Sequence, residues 1–205
     1  IYAPSSPGQK KALETAYRDA GITPDTIELL EAHGTGTKKG DAVEAAALTD
    51  VYGSGSDKPT WCALGSVKSQ IGHTKSAAGA AGMIKAALSL HNKVLPPTIK
   101  VDQPAESVAP GNTPFYVNTT KRPWVSNAEH PRRAAISAFG FGGSNFHMVL
   151  EEYKAQKARV DWDGKTQIVA FSGSDRKAIE AQVSTFNFNA DWILVRSAAQ
   201  ASRTS

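Results

Sequence analysis

The chain has 205 residues, 40% of them hydrophobic and 20% charged, a composition typical of a globular protein. The net charge is +4, but the basic residues are scattered and form pairs such as Lys38–Lys39 and Arg132–Arg133, so nucleic-acid binding is not indicated. No apolar stretch approaches the roughly 20 residues that span a bilayer, and no signal peptide is recognisable. We therefore expect a cytoplasmic chain without a membrane span, and a piece of a longer protein.

The first part of the sequence alternates predicted helices and strands. Hydrophobic periodicity and punctuation by glycine predict a helix over 8–20, a strand over 27–32, a helix over 40–52 and a strand over 61–67. His33 directly follows the first strand. Asp41 lies at the start of the second helix, where a carboxylate suits the free N–H groups.

Residues 74–92 form a predicted helix with an unusual run of alanine and glycine. Glycine inside a helix costs about 1 kcal/mol relative to alanine, so we expect this helix to be buried against a sheet or a sister helix. The following elements are an irregular proline-rich segment over 94–114 and strands over 115–124, 132–140 and 145–153, with a glycine-rich turn between the last two.

This order of elements predicts an α/β layer sandwich, in which a mixed sheet is packed by helices and one helix is buried. We place the main domain at 1–153. Residues 154–186 change in character and predict a charged linker, a strand and a capped helix, which begin a separate region. Residues 187–205 lack a clear pattern and are interpreted as a disordered or non-native tail.

Four stretches carry chemically useful side chains. They are His33 with two neighbouring threonines, Lys68 with His73, the glycine-rich turn FGFGGSN, and Asp41 with Glu44. A single histidine after a strand is more often a structural hydrogen-bonding group than a catalyst. Two histidines that each follow a strand and adjoin a glycine favour a shared site, because α/β sheets bind ligands at the carboxyl ends of their strands.

The spacing of the glycines excludes a nucleotide loop, since GTGTKKG is not G-x-G-x-x-G and the later glycine turn precedes a strand. A metal site from His33, His73 and Asp41 is a weaker alternative that matches no common ligand spacing, so no metal is expected. We favour two neutral histidines that donate N–H hydrogen bonds to a developing oxyanion such as a thioester enolate. Lys68 would then orient His73 and bias its protonation, and Glu44 would hold the lysine.

Three motifs carry a family resemblance. EAHGTGTKKGDAVE, LGSVKSQIGHTKSAAGAAGMIKA and AISAFGFGGSNFHMVLEEY resemble, in order and separation, the C-terminal signatures of β-ketoacyl synthases. The resemblance covers about residues 8–153 and implies the C-terminal half of a thiolase-like layered sandwich. KRPW and GGSNFHMVLEEY resemble the ketosynthase domains of polyunsaturated fatty acid synthases and iterative type I polyketide synthases.

The resemblance implies a role for each motif residue. His33 and His73 would promote decarboxylation of a malonyl thioester and stabilise the enolate, and Lys68 would be the accompanying lysine. Asp41 and Glu44 would support the site, Glu44 as the ion-pair partner of Lys68. No covalently bound cofactor is implied, because the substrate arrives on the phosphopantetheine arm of an acyl carrier protein. The residues expected to bind this arm or its substrate are Thr35, Thr37, Phe141, Gly142 and Asn145.

The nucleophile of the family is a cysteine of the N-terminal half, whereas Cys62, the only cysteine here, falls on a predicted core strand. The parent protein would perform decarboxylative Claisen condensation, and this chain alone would not. Two alternatives remain open: a fragment that retains malonyl decarboxylation or thioester binding, and a non-catalytic subunit similar to a chain-length factor. The expected partners are an acyl carrier protein, the missing N-terminal half, an adjacent acyltransferase domain and a further copy of the chain.

Overall fold

The computed structural model of the chain describes residues 4–53, 60–109, 113–125, 129–153 and 168–202. These residues belong to two compact units, one within 1–160 and the other within 161–205. The helices are α1 (Ser6–Ala20), α2 (Lys38–Tyr52), α3 (Lys68–Ile71), α4 (Ala78–Asn92), α5 (Arg176–Thr185) and α6 (Trp192–Ala201). The strands are β1 (Leu29–Glu31), β2 (Cys62–Gly65), β3 (Val94–Leu95), β4 (Phe115–Val117), β5 (Arg122–Pro123), β6 (Arg133–Phe139) and β7 (Asn145–Glu151).

The first unit contains a mixed five-stranded sheet in the order β4-β2-β1-β6-β7. The strands β4, β2, β1 and β6 pair in parallel, and β7 pairs antiparallel with β6. All residues of β1 and β2 are buried, as expected for parallel strands covered on both faces. β7 alternates between less and more exposed residues because it lies at the edge of the sheet.

Helices cover both faces of this sheet. α1 and α2 pack on one face through Leu13 and Leu48, which meet Leu30 of β1. α4 packs on the other face through Ala86 and Leu90. Successive residues of a strand point to opposite faces, and the apolar sequence of the central strands therefore supplies both cores.

The predicted close packing of α4 is found on one of its faces. Gly82 lies against the sheet, and a Cβ added there would come within 3.1 Å of Ile136 in β6. The opposite face of α4 is exposed, with Ile84 at 61% and Leu88 at 54% of full accessibility. The helix is therefore buried toward the sheet alone within the described residues.

The prediction of one strand over 115–124 is wrong, because the segment forms β4 and β5 in two different sheets. The buried Asn118 separates them: its backbone N–H bonds Leu64, and its side-chain amide donates to the carbonyl groups of Leu95 and Pro96. A side chain that bonds the end of β3 and the residue after it in this way ends the ladder. β5 pairs instead with β3, and β3 lies inside the segment over 94–114 predicted to be irregular.

The second unit contains α5 and α6. Asp175 caps α5 by accepting a hydrogen bond from the N–H of Ala178 at 2.9 Å, as the sequence predicts. Residues 168–175 contain no strand, and α6 lies within the segment interpreted as a tail. The predicted linker over 154–165 lies outside the described residues, and the domain boundaries at 153 and 186 stay predictions. None of the helices among the described residues has both the length and the hydropathy to cross a membrane.

Candidate active site

The motif residues meet because the parallel strands end at the same edge of the sheet. Glu31 of β1 pairs with Gly65 of β2 and with Ile136 of β6. The segments that follow these three strands carry, in turn, His33, Lys68 and the glycine-rich turn after Phe139. Such an edge is where α/β sheets bind ligands.

His33 lies on a loop that α2 anchors. The Glu44 carboxylate accepts the backbone N–H of His33 at 2.7 Å and that of Gly34 at 2.9 Å. Gly34 has φ +42°, and a Cβ there would lie 2.9 Å from the side chain of Ser66. The glycine after the histidine is therefore required both by the backbone conformation and by the close approach of the next loop.

This contact corrects the expected role of Glu44. Both of its oxygens face the β1–α2 loop and bond backbone amides, and no ion pair joins it to Lys68 within the described part of the chain. Burial raises the pKa of Glu44 to about 7, although the N–H groups of Gly34 and His33 act in the opposite direction. The carboxylate therefore fixes the histidine loop directly, and it reaches the lysine only through longer-range electrostatics.

His73 does not follow β2 directly, because the short helix α3 lies between them. Its Nδ1 accepts the backbone N–H of Lys75 at 3.0 Å. Lys75 has φ +56°, a left-handed conformation that is uncommon outside glycine. Because Nδ1 is an acceptor, neutral His73 carries its proton on Nε2.

The two histidine rings are adjacent, with centroids 5.6 Å apart and planes at 86°. His33 also contacts Phe139 at the end of β6, at a centroid distance of 5.8 Å. Burial, then the charge of Lys68 and then His73 lower the pKa of His33 from 6.5 to about 4. His33 is therefore neutral at pH 7 and can donate one N–H hydrogen bond.

Lys68 is the first residue of α3 and is half-buried. Burial lowers its pKa, while the negative charges of Glu31 and Glu44 oppose this effect. The structure therefore brings the lysine and both histidines to one region, as the sequence predicts.

The loop that carries Thr35 and Thr37 leads into α2. The hydroxyls of Thr35 and Thr37 lie 3.1 Å apart and are exposed. Asp41 accepts the N–H of Gly36 at 3.2 Å, and burial raises the pKa of its carboxyl group. The loop thus presents two hydroxyls on a backbone held by a carboxylate. Among the described residues, no group of three or more His, Cys, Asp or Glu side chains is arranged to hold a metal ion.

The glycine-rich turn lies between β6 and β7. Phe141 is 78% exposed at its tip, and Gly142 and Gly143 have φ of +75° and +85°. Asn145 begins β7, and its side-chain nitrogen lies 3.0 Å from the position of a Cβ added at Gly8 of α1. Asn145 therefore packs against α1, while Phe141 and Gly142 lie on the exposed turn.

Two residues of this region escape motif reasoning. Glu31 accepts the backbone N–H of Val67, and its other oxygen lies 2.6 Å from the Lys85 ammonium. The sequence feature that could have revealed them is a charged residue within an otherwise apolar element, Glu31 in β1 and Lys85 in α4. Cys62, in contrast, is fully buried in β2, and burial raises its pKa well above the usual range, as expected of a packing residue.

Comparisons with known proteins agree with this fold. The family model described as "Beta-ketoacyl synthase, C-terminal domain" matches residues 1–102, and "Ketoacyl-synthetase C-terminal extension" matches residues 104–200. Polyketide synthase PksL of Bacillus subtilis is 41% identical over 183 residues, which are 88% of this chain and 4% of that protein. A polyunsaturated fatty acid synthase polypeptide of a Thraustochytrium species is 46% identical over 165 residues, which are 77% of this chain and 6% of that protein.

Among solved structures, the ketosynthase from module 6 of the bacillaene synthase of Bacillus subtilis is 40% identical with a TM-score of 0.72. The match covers 90% of this chain and 31% of that ketosynthase. The chain belongs to the β-ketoacyl synthase family and corresponds to the C-terminal part of a ketosynthase domain of the polyketide and polyunsaturated fatty acid synthase type. The predicted thiolase-like fold class is thereby confirmed. The chain spans less than a third of the solved ketosynthase and a few per cent of these two synthases.

Proposed function

We propose that this chain supplies the decarboxylating and enolate-stabilising part of a β-ketoacyl-carrier protein synthase. The observation that carries the proposal is the adjacent pair His33 and His73, whose ring centroids lie 5.6 Å apart at the carboxyl edge of the sheet. The relatives are named as synthases of polyketides and polyunsaturated fatty acids, and the family resemblance implies chain extension from malonyl units. The parent protein therefore performs decarboxylative Claisen condensation.

Decarboxylation requires groups that stabilise the enolate as it forms. When the bond between the carboxylate carbon and the α-carbon of a malonyl thioester breaks, carbon dioxide leaves and the electron pair passes into an enolate. Two neutral N–H donors stabilise the enolate oxygen without being deprotonated themselves. The Lys75 N–H at Nδ1 selects the tautomer of neutral His73 that carries its proton on Nε2, and the low pKa of His33 keeps the His33 ring neutral. Lys68 contributes positive charge to the same region.

The substrate reaches this pair on a phosphopantetheine arm. Thr35 and Thr37 offer exposed hydroxyls to the amide groups of the arm, on the loop that Asp41 holds. Phe141 and Gly142, on the exposed turn, cover the reacting end of the substrate. The substrate role of Asn145 stays a prediction, and its contact with α1 favours a structural contribution to that turn.

The acyl-accepting nucleophile belongs to the remainder of the ketosynthase domain. Cys62 does not serve, because it is fully buried in β2 and its raised pKa disfavours the thiolate. The exposed apolar side chains Ile71, Ile84 and Leu88 border a groove of about 540 Å³ and suit contact with that remainder or with a second copy. Further partners are the acyl carrier protein and an acyltransferase domain.

The test is carbon dioxide release from a malonyl-carrier protein thioester by the full-length protein that contains these residues. We expect His33→Ala and His73→Ala each to reduce the rate constant by about 10²–10³-fold, the usual effect of removing one oxyanion donor. His91→Ala is the matched control, since this exposed histidine lies in the last turn of α4. Equal release from wild type and both site variants would contradict the proposal and favour a non-catalytic role.

A further inference from the structure

Glu31 is a buried carboxylate at the end of β1, two residues before His33. Only 2% of the residue is exposed. One of its oxygens accepts the backbone N–H of Val67, and the other pairs with Lys85 of α4 at 2.6 Å. Burying a carboxylate is costly unless its oxygens are paired, and both oxygens of Glu31 have a partner.

The neighbouring elements are shaped around this ion pair. A Cβ on Gly82 of α4 would lie 3.1 Å from Cγ of Glu31, and a Cβ on Gly65 of β2 would lie 3.2 Å from Nζ of Lys85. Glycine at both positions leaves the room that the two charged side chains occupy. The pair is therefore matched to the packing of α4 on β1 and β2.

The same carboxylate anchors the start of α3. Val67 precedes Lys68, and the Val67 carbonyl accepts the N–H groups of Gln70 and Ile71 at 2.9 and 3.1 Å. The carbonyl of Lys68 in turn accepts the N–H of Gly72, next to His73. Because Glu31 holds the amide of Val67, it fixes the turn that carries Lys68 and leads to His73.

Charged groups approach Lys68 from several elements. Glu31 comes from β1 and Glu44 from α2, while His33 and His73 lie on the site loops, and Lys85 of α4 adjoins Glu31. Of the two carboxylates, Glu31 contributes the larger effect that raises the pKa of Lys68 against the lowering effect of burial. The charge of Lys68 then contributes to the low pKa of His33.

We propose that Glu31 is a positioning residue for the reaction: it clamps the Val67 amide at the start of α3 and, partnered by Lys85, supplies the negative charge behind Lys68. This inference rests on the proposed decarboxylation at the histidine pair. It gives the acidic residue of the sequence EAHG a role distinct from that of Glu44, which holds the amides of His33 and Gly34.

The test compares Glu31→Gln, Lys85→Met and the double variant in the full-length protein, using the pH profile of carbon dioxide release from malonyl-carrier protein. Glu31→Gln keeps the shape and an oxygen for Val67 but removes the charge, so Lys68 loses its proton at lower pH. We expect the alkaline limb of the profile to move to lower pH in Glu31→Gln and in the double variant. Lys85→Met leaves the carboxylate in place and does not move the limb downward.

The double variant protects the test against misfolding, because it removes the unpaired buried ammonium that Glu31→Gln alone leaves. A second readout, competitive acetylation of Lys68 by acetic anhydride across pH, follows the same lysine without requiring activity. Its midpoint is expected to fall with loss of the Glu31 charge. Unchanged midpoints and limbs, with activity reduced equally at every pH, would overturn the positioning role. Failure of the proposed function gives a different result: wild type and His33→Ala then release carbon dioxide at the same rate.

Discussion

A methyl group added at Gly82 tests how tightly α4 packs on the sheet. Gly82→Ala places a Cβ 3.1 Å from both Glu31 and Ile136, which are 2% and 3% exposed and cannot move into solvent. Gly79→Ala in the same helix places its Cβ 3.4 Å from Ala138, an ordinary contact. The two substitutions are chemically identical and differ in the space behind the glycine.

The expected magnitudes follow from this difference. Alanine improves helix propensity by up to about 1 kcal/mol, less at Gly79 because it is the second residue of α4. Overpacking of a well-packed core costs about 1–3 kcal/mol. Gly79→Ala should therefore be neutral or stabilising by up to about 1 kcal/mol, and Gly82→Ala should destabilise α4 by about 0–2 kcal/mol.

Hydrogen–deuterium exchange measures both variants in the full-length protein, because it reports the opening free energy of individual segments. We expect peptides from α4 and β6 to exchange faster in Gly82→Ala than in wild type, and no faster in Gly79→Ala. Equal protection in the two variants would refute the close contact between α4, Glu31 and β6.

Three further results are expected from buried groups. Burial raises the pKa of Glu44 to about 7, so the folded state binds the proton more tightly than the unfolded state does. Ionisation of this carboxyl therefore lowers the free energy of unfolding as pH rises from 4.5 to 7. In denaturant titrations between pH 5 and 8, Glu44→Gln should gain up to about 3 kcal/mol in the free energy of unfolding relative to wild type. Burial lowers the pKa of His147 to about 3, so the stability that neutral His147 contributes is lost as pH falls below 6.5. Between pH 6.5 and 4, the free energy of unfolding should therefore fall by about 3 kcal/mol less in His147→Gln than in wild type. Cys62 should resist alkylation by iodoacetamide in the native protein and react after denaturation, and rapid native labelling would contradict its burial.

The His147 prediction depends on a hydrogen-bonded chain between the sheet and the helices, in which His147 itself is half-buried. Ser137 of β6 bonds Nδ1 of His147 at 3.0 Å, and Nε2 bonds the Tyr17 hydroxyl of α1 at 2.8 Å. The Tyr17 hydroxyl also bonds that of Tyr52 in α2. Each polar atom has a partner, so the chain joins α1 and α2 to β6 and β7 without leaving a buried group unpaired.

Much of the core fold follows from local sequence patterns. Continuous apolar runs predicted β1, β2 and β6, because parallel strands are buried on both faces. Helical periodicity with a glycine cap at Gly21 predicted α1, an acidic start at Asp41 marked α2, and a run rich in alanine and glycine predicted α4. Their starts are shifted by two to four residues. The break of the 115–124 segment at Asn118 was not predictable, since it depends on carbonyl groups that only the folded loops bring near.

The candidate site also has one part that the sequence predicts and another that it does not. The motifs predicted that His33, Lys68 and His73 share a site, because the two histidines follow predicted strands of an α/β sheet and Lys68 lies five residues before His73. They did not predict which carboxylate serves which group. Glu44 is 11 residues from His33 and Glu31 is 54 from Lys85, and neither contact has a sequence period that would reveal it. Such pairings emerge only from the packing of α2 and α4 against the sheet.

In the proposed reaction the two histidines jointly receive the developing enolate oxygen. The most direct measurement is a crystal structure of the full-length protein with a malonyl thioester analogue whose carboxylate is replaced by a carboxamide, so that it cannot lose carbon dioxide. We expect the thioester oxygen at about 2.7–3.2 Å from a ring nitrogen of both His33 and His73. An analogue bound with its carbonyl oxygen remote from both rings would contradict it.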